Sequence, residues 1–178
     1  MIERPGEAEF APAFARYVDR VSEADALVPL ESQVGELRKL VSGVAAERET
    51  YRYADGKWSV RELFGHLTDT ERVIGHRAFC IGRGEQASLP GFDENAYVAN
   101  ANGNARPLAQ HLSEFTLVRE SNLVLLRSLD TAAARRIGTA NGNPASVRTM
   151  AFVLVGHVRH HLNVLQTKYG IPSGQVRE

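Results

Sequence analysis

Three of the chain's six histidines, His157, His160 and His161, fall within one stretch, Val147 to Tyr169. Imidazoles four residues apart on a helix stand one above the other, so His157 and His161 can offer ring nitrogens to a single metal ion. His157 and His160 form the second-choice pair, because His160 lies roughly 100° round the helix from His161. A bare H-x-x-x-H also occurs on helices that bury one histidine and solvate the others, so the pair needs a ligand from elsewhere. His66, on a different predicted helix, supplies one. Three neutral imidazoles with a vacant fourth position make a catalytic rather than a structural zinc site. A dication there can lower the pKa of water toward roughly 7 and generate hydroxide for hydrolysis, or keep a thiol deprotonated for attack on an electrophile. Zinc is the leading candidate, with nickel, iron and manganese also suited to the ligands.

The elements that must position these rings are helices. From Val147 the apolar residues Met150, Ala151, Leu154, Val158, Leu162 and Leu165 recur at helical intervals, Ser146 is the expected N-cap, and Gly170 and Pro172 end the run, leaving a loose tail to Glu178. A second helix is predicted from Val60 to about Arg83, opened by a Ser59/Glu62 capping box, with His66 on the flank of its stripe beside Thr70 and Val73. Two more long helices are read from Pro29 to Val44 and from Pro107 through Leu129, and short ones near Phe14 to Val21, after Asp93 and over Asp130 to Arg136. Gly138 to Pro144 reads as a loop, and no segment alternates as a strand does. The expected fold class is therefore all-α, a single domain over residues 1–178: a four-helix bundle with a long crossover, Gly82 to Arg106, between its second and third long helices. Phe92 and Tyr97 on that crossover are candidate pocket-lining residues.

Composition narrows the function. The formal net charge is zero with 21 residues of each sign, and no basic cluster exceeds a dipeptide, so nucleic acid is not an expected partner. No apolar run approaches the roughly 20 residues of a membrane span, and acidic residues stand where a signal peptide would be basic, so the expected location is cytoplasmic. Cys80 is the sole cysteine, excluding an internal disulfide, and reads as a small buried residue.

Lys57-Trp58-Ser59-Val60-Arg61-Glu62 with His66, the Glu71-Arg72 and Arg77-Ala78 pairs, Leu89-Pro90-Gly91-Phe92-Asp93 and Gly156-His157 with His160-His161 resemble the DinB/YfiT superfamily over about residues 14 to 169. The resemblance implies a bundle of unusual connectivity, often dimeric, and a divalent metal held by His66, His157 and His161. It implies activity as a thiol S-transferase using mycothiol, bacillithiol or glutathione, or as a metal-dependent hydrolase; many members have no known activity. A small-molecule substrate and a homodimer are accordingly expected, and a metal-binding module without turnover is the remaining reading. Glu62, one turn before His66, is a candidate general base, and Asp69 a candidate for orienting a ligand ring. Asn102 or Asn104 could face the metal, and Arg77 and Arg148 could receive the carboxylates of a thiol cofactor. His111 is read as facing solvent, His76 as facing solvent or a partner helix, and Trp58 as a lid on the bundle end.

Overall fold

The computed structural model describes residues 1–172; the expected loose tail lies outside them. Seven helices follow in order: α1 (Pro12–Val18), α2 (Leu27–Ser42), α3 (Val60–Gly82), α4 (Glu94–Asn100), α5 (Leu108–Ser128), α6 (Thr131–Arg135) and α7 (Val147–Thr167). The four long ones form the bundle, with α3 against α5 and α7, and α2 against the same two helices from the other side. No helix among the described residues is long and apolar enough to cross a membrane.

The start of α3 is fixed by its own sequence. The Ser59 hydroxyl oxygen accepts from the Glu62 amide at 3.1 Å, and the Glu62 carboxylate accepts from the Ser59 amide at 2.7 Å. Ser59 also donates to Asn104 Oδ1 at 2.7 Å, tying the helix start to the end of the crossover. Ser59→Ala removes both contacts, and an urea-unfolding midpoint lowered by the equivalent of about 1 kcal/mol is expected. At α7 the Ser146 hydroxyl accepts from the Thr149 amide at 3.1 Å in the same way.

The core is divided. One apolar cluster contains Leu37, Leu63, Leu67, Phe115 and Val158, and the other Leu30, Ile74, Leu123, Val155 and Phe152. Between them lies a polar layer. Arg119, fully buried on α5, donates to both carboxylate oxygens of Glu71 at 2.8 Å, to Gln33 Oε1 at 3.0 Å and to the Leu30 carbonyl at 3.1 Å. Gln33 in turn donates to the Val155 carbonyl at 2.9 Å, so one network joins α2, α3, α5 and α7.

The loop expected at Gly138 to Pro144 is instead an antiparallel hairpin, β1 (Ile137–Ala140) paired with β2 (Asn143–Ser146). Asn141 and Gly142 both take positive φ, +52° and +72°, the turn that Asn-Gly favours because its twist matches that of the strands. Four-residue strands containing Gly138 and Pro144 carry no alternation to read. They are held from outside: the Leu89 amide donates to Thr139 and the Asn141 amide to Leu89, each at 2.9 Å. Crossover and hairpin thus clamp each other, which only the folded chain makes possible.

The N-terminal segment lies on α7 through α1, closest at Gly156, where any Cβ would run into the Tyr17 carbonyl. Only glycine lets α1 approach this near to His157.

Candidate metal centre

His66 leaves α3 one turn past the capping box, and His157 and His161 leave α7 four residues apart. All three are buried, and their Nε2 atoms converge: 3.0 Å from His66 to His157, 3.2 Å from His66 to His161 and 3.2 Å between His157 and His161. Hydrogen bonds cannot satisfy such a triangle, because a ring N–H donates to one neighbour and leaves another lone pair facing a lone pair. A cation at the centre satisfies all three. A tetrahedral ion with metal–nitrogen bonds of about 2.0–2.1 Å holds its nitrogens about 3.3–3.4 Å apart, close to the spacing present. The residues therefore fit a divalent metal.

The electrostatics agree. Burial is the first cause of a lowered pKa in each ring, with neighbouring imidazoles adding to it: His66 falls to about 4, His161 to about 2, and His157 lies well below 6.5. At neutral pH the rings carry no charge and present free lone pairs, the state that ligation requires. Packing sets their orientation. Trp58 lies against His66 at 4.7 Å between ring centroids, Tyr17 meets His157 edge-on at 5.6 Å, and His160 meets His161 at 4.8 Å. His161 Nδ1 is buried without a partner among the described residues, so this ring is held by contact rather than by a hydrogen bond.

Two cavities reach the triad. The inner one, about 150 Å³, has His157 in its wall together with Phe14, Tyr17, Thr70, Arg77 and Phe92. The outer one, about 270 Å³, is bounded by His160 and His161, Trp58, Lys57, Tyr53 and Tyr169. Each cavity thus has one ring of the α7 pair in its wall.

The other candidates divide sharply. Glu62 is no free base: besides its cap it holds Arg52 at 2.6 Å and accepts from the Asn104 amide at 2.8 Å. Burial works against the charge of Glu62, but the hydrogen bonds from Arg52, Ser59 and Asn104 bring its carboxyl below the ordinary value. Asp69 makes no hydrogen bond to a triad ring; burial raises its pKa, and the charges it feels are Arg72, Glu114, Arg106 and His111, on its α5 side. Asn104 serves the α3 cap, Asn102 is exposed in the turn before it, and neither lines either cavity beside the triad. Arg148 is committed to Glu9 and Glu3 of the N-terminal segment and cannot receive a cofactor. Arg77 and Phe92 do line the inner cavity, whereas Tyr97 packs at a tilt against Phe92, 5.1 Å between ring centroids, and bounds an adjoining cleft.

His111, expected in solvent, is fully buried; its Nε2 donates to the Gly103 carbonyl at 2.9 Å, a partner that the crossover brings from outside its helix. Cys80 is half-buried rather than buried, and lies beside His76 with Sγ 3.5 Å from Nε2. Trp58 and Tyr17 were not marked as site residues by the sequence. Trp58 is adjacent to the cap that precedes His66, which was a usable signal; Tyr17 reaches the site only through the Gly156 contact, which has none.

The family model described as the DinB superfamily matches residues 30–165. Among solved structures, YfiT from Bacillus subtilis, described as a probable metal-dependent hydrolase with an unusual four-helix bundle topology, matches with a TM-score of 0.74. The two share 18% identity, over 96% of this chain and 95% of that one, and the likeness is one of fold. No curated protein matches.

Proposed function

The chain belongs to the DinB superfamily, and on that premise we propose that it is a metal-dependent enzyme that transfers a low-molecular-weight thiol to a small electrophile. A divalent cation held by His66, His157 and His161, zinc first among the candidates, supplies Lewis acidity that makes a thiol available as its thiolate at neutral pH. The observation that carries the reading is the pair of cavities, one walled by His157 and the other by His161. A transfer reaction brings two organic partners to one point, while hydrolysis brings one and water. The larger outer cavity suits the thiol, with Lys57 and His160 at its wall to meet polar groups, and the inner one suits the electrophile. Glu62 is already engaged and Asp69 lies apart, so the reading assigns no side chain as the base.

A second reading, hydrolysis, is favoured by the description of YfiT as a probable metal-dependent hydrolase. Incubating the metal-loaded protein with glutathione, bacillithiol or mycothiol and a chlorinated dinitrobenzene separates the two. Conjugate formed only when a thiol is present is expected. Product released at the same rate without thiol favours the hydrolase, and no turnover of any substrate leaves a metal-binding module.

The working form proposed is a homodimer. Leu117 and Val124 on α5 and Phe79 on α3 are exposed large apolar residues, at 68%, 67% and 45% of their surfaces. A double substitution, Leu117→Glu with Val124→Glu, is expected to shift the light-scattering mass from dimer to monomer; an unchanged dimer places the interface elsewhere.

A further inference from the structure

Five threonines stand on the long helices; Thr149 donates to the Glu9 carbonyl at 3.2 Å, and the other four show what an ordinary hydroxyl does there and which one is left without a partner. Thr68, Thr116 and Thr167 each donate to the carbonyl four residues back, at 3.1, 2.8 and 2.8 Å. The Thr70 hydroxyl makes no hydrogen bond among the described residues, although the residue is only 5% exposed. Arg77, two turns on along α3 and also 5% exposed, is the second such group. One terminal nitrogen of Arg77 donates to the Pro90 carbonyl at 2.7 Å, but its buried Nε has no acceptor, and no carboxylate lies within ion-pair distance among the described residues. The contrast with Arg119 and Arg148, both closed by glutamates, is direct.

Both residues line the inner cavity, where His157 forms part of the wall. A buried polar group left without a partner is costly, more so when charged, and two at one cavity mark a place for a ligand. An arginine Nε can only donate, so the ligand atom it meets is an acceptor. A guanidinium without a counterion favours a charged acceptor. Among the described residues Glu94 is the only carboxylate in the lining, set against Arg16 and Arg77, so these side chains give the cavity formal positive charge before any cation binds at the triad. Phe14, Ile74, Phe92 and Val153 give the wall an apolar side, and Tyr17, Asn141 and Asn143 add to its polar one.

We propose that the inner cavity is the subsite for a carboxylate borne by the small substrate, received by the Arg77 guanidinium and the Thr70 hydroxyl. The Arg77 Nε–H and the Thr70 hydroxyl are two donors for the two oxygens of a planar carboxylate. The apolar side of the wall calls for a short aliphatic or aromatic body behind the acid. The subsite's place in the reaction rests on the triad being the reaction centre, but the binding itself does not.

The test uses the arginine Nε–H resonances of the full-length protein, metal-loaded and stripped, titrated with butyrate, with neutral butyramide and with inorganic phosphate. Butyrate is expected to move one resonance saturably in both forms, a resonance absent from Arg77→Gln, while butyramide leaves it in place. Thr70→Val, which removes a hydroxyl that has no partner to lose, is expected to keep or raise the thermal midpoint and to weaken butyrate binding about tenfold. It decides the question should Arg77→Gln fail to fold. No saturable shift with butyrate, a shift that survives in Arg77→Gln, undiminished binding by Thr70→Val, or binding of phosphate in preference to butyrate overturns the proposal. Because the stripped protein is titrated too, loss of the metal reading and loss of this one give different results.

Discussion

Purified His157→Ala is expected to contain less than about a tenth of the metal carried by the unsubstituted protein, with His66→Ala the same and His160→Ala unchanged. The size follows from the ligand count. Structural zinc is held in small domains by about 10–16 kcal/mol from four ligands, so one imidazole contributes roughly 3 kcal/mol, or about two powers of ten in affinity. His160 is the informative control, since it touches His161 at 4.8 Å but sends no nitrogen to the centre. Stability should follow occupancy: a ligand present at about 100 times its dissociation constant adds about 2.7 kcal/mol, an increment that His157→Ala no longer gains on adding metal. Elemental analysis with thermal unfolding, with and without added metal, reads both. Stoichiometric metal in His66→Ala and His157→Ala alike would end the assignment.

The second large effect lies at the polar layer. Glu71→Ala is expected to destabilise the fold by about 3–5 kcal/mol, because it leaves the Arg119 charge fully buried without its bidentate partner. Against a total of about 5–15 kcal/mol for a domain, that is enough to leave part of the population unfolded. Adding Arg119→Met removes the stranded charge and lets apolar volume replace it, so the double variant should recover more than half of the loss. Urea unfolding of the two proteins measures the difference. A single variant that costs less than about 1 kcal/mol would mean that the layer is hydrated rather than dry.

The histidine pair on α7 and both serine caps were legible because each depends on residues within one or two turns of itself. The helical spacing of His157 and His161 is set by sequence alone, and so is the reciprocal bonding of Ser59 and Glu62. The departures come from partners far along the chain. Arg148 is neutralised by Glu9, 139 residues away, and His111 is satisfied by a carbonyl of the crossover. The hairpin at 137–146 owes its strands to Leu89 as much as to its Asn-Gly turn. Thr70 and Arg77 differ again, since what distinguishes them is a missing hydrogen-bond partner, which no pattern of residue types announces.

The close approach at Gly156 separates two tasks along the chain. The matched family segment begins at residue 30, whereas Phe14, Arg16 and Tyr17, which face the inner cavity, precede it. On the proposed reading, ion capture belongs to the long helices, and part of the choice of cargo belongs to a segment clipped onto them through one missing methyl group. Transplanting residues 1–29 between relatives that keep this glycine should therefore move substrate preference while leaving metal affinity where it was.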